Sequence, residues 1–394
     1  MPLDCFAALA MTALYCVSSG APVTVTIDSD FDTGNIEIRA IDGDRADLAI
    51  RPDSNGPWFQ WFYFRVGGAA GRRLRLRIVN AASSAYPEGW AGYRACVSSD
   101  RRHWVRTETI YEAGVLEIRH EATADEIWFA FFAPYDLARH QDLLDRAAAA
   151  PGVTVDVIGN SVDGRAISRI RLGQGARQIW LLGRQHSGET MASWWMEGAL
   201  SRLLDPADPV ATRLRETATL HLVPLVNIDG ATRGNLRGNA DGIDLNRQWH
   251  DPDPGRAPEV AAILAAMDRT GVDLMLDIHG DETIPHVFID GCDADPVATP
   301  AQVAAVAAFK TALLAQNPAF QTRVGYPVTY GGDGAPGMAT RAIARRFGAV
   351  GMTLEMPFKD SQEMPDPIEG WTPAASARMG ADCLAAVLAT MAEG

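Results

Sequence analysis

His186 and Glu189 stand three residues apart in His186-Ser-Gly-Glu189, just ahead of a helical stretch from Thr190 to Leu204. A turn at that spacing can aim an imidazole and a carboxylate at one ion. Zinc takes histidine nitrogen and glutamate oxygen at about 2.0 to 2.2 Å, and a catalytic zinc site combines three protein ligands with water. His279, in Asp277-Ile-His279-Gly, supplies a third ligand. Water activated by such an ion needs a base that takes its proton and passes it to a leaving amine, and a carboxylate in a dry cleft suits both tasks. Glu355, directly after the apolar run Val350 to Leu354, is the candidate. Asp281 and Glu282, beside His279, are rival carboxylates better suited to orienting a ligand. Gly234-Asn-Leu-Arg-Gly238 and Gly242-Ile-Asp-Leu-Asn-Arg247 put Arg237, Asn246 and Arg247 on a glycine-rich loop. Glycine lets backbone approach a ligand, while guanidinium grips a carboxylate or stabilises a developing oxyanion. A peptide C-terminus is such a carboxylate.

Four apolar runs must position these groups: Gln178 to Gly183, Thr219 to Val226, Asp273 to Ile278 and Val350 to Leu354. Each reads as a buried strand, and each is followed by polar residues, among them His186, Asn227, His279 and Glu355. Ligands of open α/β sheets bind beyond the carboxyl ends of the strands, so residues from distant segments converge on one crevice. Alanine-rich helices alternate with the strands, at Leu143 to Ala150, Ala257 to Asp268 and Pro300 to Ala315. Residues 135–394 therefore predict an α/β domain: a mainly parallel, mixed sheet with helices on both faces.

Residues 24–134 read differently, as short strands between turns, for example Asn35 to Arg39, Gln60 to Val66, Arg73 to Ile78, Val115 to Arg119 and Glu126 to Phe132. Period-two alternation over Arg73 to Ile78 predicts an all-β sandwich with one wet face per sheet. The linker is placed at Ala133 to Leu137. His103 and His120 are read as structural or surface residues and His221 as a core residue. His250 and His286 are candidates for the rim of the crevice.

The chain has 394 residues, enough for two or three domains. Thirty-five basic against 49 acidic side chains give a net charge of −14, which disfavours a nucleic-acid partner. Five widely separated cysteines offer no close pair and are read as reduced thiols in a cytosol-like compartment. Residues 1–23 form a leader whose apolar run, Phe6 to Val17, is too short to span a bilayer and follows Asp4 rather than Lys or Arg. A cytoplasmic location is expected, with export the minority reading. Oligomeric state has no signature here.

Taken together, His186-Ser-Gly-Glu189, Asn227-Ile-Asp-Gly230, Gly234-Asn-Leu-Arg237, Gly242-Ile-Asp-Leu-Asn-Arg247, Asp277-Ile-His279-Gly and Thr353-Leu-Glu355 resemble the zinc carboxypeptidases related to carboxypeptidase A. The cytosolic branch, which also carries a β-sandwich ahead of the peptidase domain, is the most similar. The resemblance covers Pro134 to Gly394 in motif detail and Thr24 to Pro134 by architecture alone. It implies the carboxypeptidase fold, with one zinc per chain held by His186, Glu189 and His279. Glu355 would be general base and acid, Arg237 would polarise the scissile carbonyl, and Asn246 and Arg247 would hold the terminal carboxylate of a peptide or protein substrate. Position 188, an arginine in the digestive branch, is glycine here. The family's substrate tyrosine stays open between Tyr326 and Tyr330.

An arginine among Arg341, Arg345 and Arg346 turned into the pocket would favour acidic C-terminal residues. Two other activities remain open. One is amide hydrolysis of N-acyl amino acids or cell-wall peptides on the same scaffold. The other is peptide binding without chemistry, against which the retention of every ligand and of Glu355 weighs.

Overall fold

The computed structural model describes residues 24–327 and 336–392. The leader, with Cys5 and Cys16, and Tyr330 lie outside the described residues. The N-terminal part contains β1 (Thr26–Asp28), β2 (Glu37–Asp42), β3 (Arg45–Ala49), β4 (Tyr63–Gly67), β5 (Arg73–Ile78), β6 (Cys96–Ser98), β7 (Val105–Arg106), β8 (Thr109–Glu112), β9 (Val115–Glu121) and β10 (Ile127–Ala130). They form two five-stranded sheets, β1-β4-β10-β6-β7 and β2-β3-β5-β9-β8. Along β5 the arginines point outward while Leu74, Leu76 and Ile78 are buried, joining Phe64, Val66 and Phe129 of the other sheet in one core. This is the alternation that predicted a sandwich.

The segment read as a strand from Gln60 joins the ladder only at Tyr63. Gln60 instead brackets Tyr86, accepting from its N–H at 2.8 Å and donating to its carbonyl at 3.1 Å, and Trp61 Nε1 donates to Thr33 O at 2.8 Å. Buried apolar text here is satisfied by side chains rather than by strand pairing.

The C-terminal part runs α1 (Leu137–Ala148), β11 (Thr154–Asn160), β12 (Ala166–Gly173), β13 (Arg177–Gly183), α2 (Met191–Leu204), α3 (Pro209–Thr217), β14 (Ala218–Val223) and α4 (Ile228–Arg233). It continues with α5 (Pro258–Thr270), β15 (Leu274–Asp281), β16 (Phe288–Gly291), α6 (Pro300–Gln316), α7 (Ala339–Phe347), β17 (Val350–Pro357) and α8 (Pro373–Ala392). Its seven-stranded sheet has the order β11-β12-β14-β13-β15-β17-β16. The four central strands are parallel, and β11, β12 and β16 run antiparallel to their neighbours. Alternate residues of β13 serve opposite faces. Ile179 and Leu181 pack in the core shared with α2, α6 and α8, while Trp180 and Leu182 pack with Val260, Ile263 and Ile343 of α5 and α7. Helices thus cover both faces, and the central strands are buried nearly throughout.

Helix α1 begins six residues before the apolar period suggested, because the Asp136 carboxylate accepts the Arg139 N–H at 2.9 Å and caps it. The connection ahead of it is pinned: the Ala133 carbonyl accepts from Thr190 Oγ1 at 2.8 Å and Trp194 Nε1 at 3.1 Å. Cys96, Cys292 and Cys383 are buried free thiols. No helix among the described residues is long and apolar enough to cross a membrane.

Arg106 of β7 joins the two parts. Its buried guanidinium donates to Phe358 O and Arg94 O at 2.7 Å each and to Glu369 O at 3.3 Å. Beside it Phe131 stacks on Phe358 with centroids 4.4 Å apart. Arg106→Ala strands the buried Phe358 carbonyl and frees the two part-buried ones, and is expected to cost about 2 to 4 kcal/mol, measured as a lower midpoint of denaturant unfolding. A midpoint within error of the parent would mean the sandwich is held by its apolar contacts alone.

Candidate active site

The loop after β13 delivers two of the three metal-ligand candidates. The chain leaves the strand through Arg184 in the left-handed region at φ 62°, a costly conformation for a residue with a Cβ. The Arg184 side chain holds it there: Nε donates to Ser187 O at 2.9 Å, and Nη1 donates to Tyr135 O at 2.9 Å and Ser193 Oγ at 3.2 Å. Burial pulls this guanidinium down to about 9. Gly188 packs tightly against the next loop. Its N–H donates to Leu236 O at 2.7 Å, and a Cβ would sit 3.0 Å from that oxygen.

His279 and Glu355 come from neighbouring strands. β15 and β17 are parallel with His279 opposite Glu355, so both side chains leave the same face side by side. Asp277 lies two residues before His279 and therefore shares that face.

Three donors meet at one point. The Nδ1 atoms of His186 and His279 lie 3.1 Å apart, and Glu189 reaches them with Oε1 at 2.7 Å and Oε2 at 2.8 Å. All three residues are buried, with one ligand atom from each within 4.8 Å of the others. Tetrahedral coordination at about 2.1 Å would separate ligand atoms by roughly 3.4 Å, a few tenths wider than these contacts. The outer nitrogens are already engaged: His186 Nε2 meets Asp244 Oδ1 at 3.1 Å and His279 Nε2 meets Asp277 Oδ2 at 2.8 Å. A carboxylate behind each imidazole sets its tautomer, leaving the Nδ1 lone pairs for a cation. The two histidines outweigh the burial penalty on Glu189 and hold its pKa below the usual range. The donor set fits zinc.

Glu355 Oε1 accepts from Tyr326 Oη at 3.1 Å, while its buried Oε2 has no hydrogen-bond partner among the described residues. Burial pushes the Glu355 carboxyl well above its ordinary value; His279 opposes this, and Glu189 and Asp281 add to it. The same hydroxyl lies 2.8 Å from Asp281 Oδ2, so its one proton serves either carboxylate but not both at once. Of the two tyrosines left open from sequence, Tyr326 lines the cleft and Tyr330 lies outside the described residues. Asp281 and Glu282 line the cleft, but the oxygen behind His279 belongs to Asp277, correcting the expectation that one of those two orients the ligand.

Arg237 lies on the loop after α4. Its Nε donates to Asp244 Oδ2 at 2.9 Å and its Nη1 to Tyr86 Oη at 2.9 Å, which leaves Nη2 for a ligand in the cleft it lines. Burial raises the cost of a charged Asp244, yet Arg237 and His186 overcome it and keep the carboxyl well below its usual range. Asn246 accepts the Ala339 N–H on its amide oxygen at 2.9 Å, which presents the amide nitrogen as a donor. Arg247 donates to Asn246 O at 2.9 Å, and both residues line the same cleft.

Other expectations part ways with the structure. None of the three arginines lines the cleft: Arg345 and Arg346 are tied to Asp295 and Asp268 at 2.8 Å each, and Arg341 is buried behind the wall, where its charge acts on Asp290, which does line it. His250 is exposed and His286 pairs with Glu363 at 2.9 Å, and neither lines the cleft. His221 stacks on Trp180 in the interior, as expected. Sequence reasoning gave no role to Asp244 or Asp277, although both stand inside motifs already singled out. It missed Asp53 and Tyr86 entirely, which reach the site from the sandwich.

Known proteins match both parts of the chain. Residues 27–132 match the cytosolic carboxypeptidase N-terminal domain and residues 140–369 match the zinc carboxypeptidase family. A metallo-carboxypeptidase from Burkholderia cenocepacia superposes with a TM-score of 0.92 at 39% identity, over 94% of this chain and 100% of that one. One from Pseudomonas aeruginosa, in complex with (2-guanidinoethylmercapto)succinic acid, gives 0.89 at 42% identity, over 93% and 99%. An uncharacterized protein of Zymomonas mobilis is 47% identical over 94% of this chain and 97% of its own length. Cytosolic carboxypeptidase 6 of Mus musculus is 29% identical over 68% of this chain, which spans 55% of that protein's length. With a sandwich, a mixed sheet and a His-Glu-His cluster in their places, the chain belongs to the zinc carboxypeptidase family of metal-dependent hydrolases.

Proposed function

We propose that the protein removes C-terminal residues from peptides or proteins, with His186, Glu189 and His279 holding one zinc and Glu355 moving the proton. The observation that carries this reading is the pairing of His279 with Glu355 across two parallel strands, which sets a buried, unpartnered carboxylate oxygen beside the three converging donors. When bound, zinc acidifies water and polarises a carbonyl. Glu355 Oε2 takes the proton of the attacking water and returns it to the departing amide nitrogen, while Tyr326 holds Oε1 still. Nη2 of Arg237 meets negative charge as it develops on the carbonyl oxygen. Asn246 Nδ2 and the Arg247 guanidinium receive the terminal carboxylate, so cleavage is confined to the last peptide bond. The buried free thiols and the cytosolic carboxypeptidase relatives support a cytoplasmic location.

A preference for acidic C-terminal residues is part of this reading. Arg341 is the one of three neighbouring arginines that is buried, and its charge acts on Asp290 in the cleft wall. Because Asp290 offsets some of that charge, the preference is modest, about tenfold.

Three measurements test the reading. Glu355→Gln is expected to retain one zinc per chain by metal analysis while kcat falls by about 10³-fold or more, and a variant that kept its turnover would move the proton role elsewhere. C-terminally amidated peptides should resist cleavage, and Arg247→Ala should lower kcat/KM on free peptides by about 10- to 100-fold; equal hydrolysis of free and amidated forms would point to a general amide hydrolase. Peptides ending in Glu should be cut faster than those ending in Leu, and Arg341→Met should level the two. Equal rates in the parent enzyme would remove the acidic preference.

A further inference from the structure

The loop that carries Arg237 is bound by the sandwich along its whole length. Thr33 N donates to Thr232 O at 3.1 Å, Asn35 Nδ2 to Gly234 O at 2.9 Å, Ser54 N to Asn235 Oδ1 at 3.0 Å and Asn55 Nδ2 to Ala240 O at 2.9 Å. Gly242 is in the left-handed region at φ 70°, and a Cβ there would lie 2.0 Å from Asn55 O. At the centre is Asp53, on the connection between β3 and β4 and only 4% exposed. Its Oδ1 accepts the Leu236 N–H at 2.6 Å, and its Oδ2 accepts the N–H groups of Arg237 and Gly238 at 2.8 Å each. From the same domain Tyr86 holds the other end of the arginine at Nη1.

This arrangement is costly, which separates it from ordinary packing. Burial raises the Asp53 carboxyl to about 6 even though three backbone donors and the Arg237 charge pull it down. Unfolded, the same group ionises near 3.8. Between those values the folded chain binds more protons than the unfolded one, so stability falls as pH rises through this window. Above it the ionised carboxylate is a net burden that the fold carries while it aligns three successive N–H groups.

We propose that Asp53 and Tyr86 are positioning residues that fix Arg237 from its backbone and from its guanidinium, so that the N-terminal sandwich is part of the catalytic apparatus. Asp53 does not line the cleft and acts only through Arg237; Tyr86 stands at the cleft wall, and its part in this proposal is the hydrogen bond it accepts from Arg237. The proposal rests on the reading that Arg237 meets the scissile carbonyl.

Its test is a pair of double-mutant cycles on the full-length, zinc-loaded enzyme with a free peptide substrate, reading kcat, KM, zinc content and thermal midpoint. Asp53→Asn turns an amide N–H toward at least one of the three donors. It should lower kcat by about 10- to 100-fold with KM nearly constant and zinc fully retained. Tyr86→Phe removes one hydroxyl without opening the core and should lower kcat severalfold. In an Arg237→Ala background both substitutions should have almost no further effect on kcat. Additive losses there, or an unchanged kcat in folded Asp53→Asn or Tyr86→Phe, would overturn the proposal. If Asp53→Asn fails to fold, the Tyr86→Phe cycle decides alone. Should Arg237→Ala itself leave kcat/KM untouched, the role of Arg237 falls and this inference with it; a large loss combined with additivity sinks only the inference.

Discussion

A continuous line of alternating acidic and basic side chains runs through the molecule, and the site depends on it. It starts at Asp277 on β15, passes through His279, Glu189 and His186, crosses to Asp244 and Arg237, and ends at the hydroxyl of Tyr86 in the sandwich. Each link is a close polar contact between groups that are largely removed from solvent, where an unpaired charge would be prohibitive and a paired one is held to a narrow geometry. Asp244 is the hinge of this line. One of its oxygens meets a metal-ligand candidate and the other fixes the arginine that lines the cleft, so the two sides of the site cannot drift independently.

Much of this was legible in the sequence because strand ends are legible. The runs ending at Gly183, Ile278 and Leu354 are apolar enough to be central parallel strands, and chemistry in such sheets gathers at their carboxyl ends, although β15 and β17 continue to Asp281 and Pro357 so that His279 and Glu355 still stand in the ladder. His186, Glu189, His279 and Glu355 follow from that rule together with ligand type. Asp244 and Asp277 sat in view but carried no role, because a lone aspartate acquires meaning only from a partner far along the chain. Asp53 and Tyr86 were invisible for the same reason, lying more than 150 positions from the arginine they hold. Gln60 and Trp61 misled in the opposite direction, since a strand-like composition was satisfied there by side-chain hydrogen bonds, and backbone pairing resumes only at Phe62, whose carbonyl accepts the Phe131 N–H at 2.9 Å.

The sandwich is therefore more than an appended module. Arg106 ties it to the carbonyl of Phe358, three residues past Glu355, while Asp53 ties it to the loop of Arg237. It grips the catalytic domain on both sides of the cleft. Glycine at 188 belongs to the same logic. The Leu236 carbonyl that crowds it lies in the segment Asp53 anchors, so the loop of metal-ligand candidates and the arginine loop are packed backbone against backbone. A side chain at 188 would need the Leu236 segment to give by a few tenths of an ångström.

The excess of carboxylates around the cleft makes sense only with a cation among them. Glu189, Asp244, Asp277, Asp281, Glu282 and Glu355 surround two histidines and Arg237 within one small volume. Burial drives Glu282 and Glu355 well above their ordinary values, and the negative charges of Glu189 and Asp281 drive them further. Two added positive charges between His186, Glu189 and His279 would reverse the second of these influences and leave the first. Glu355 would then be pulled down by the ion and held up by its dry surroundings. That compromise suits a group that must accept a proton in one step and surrender it in the next, and it requires both the buried strand pair and the three donors on its rim.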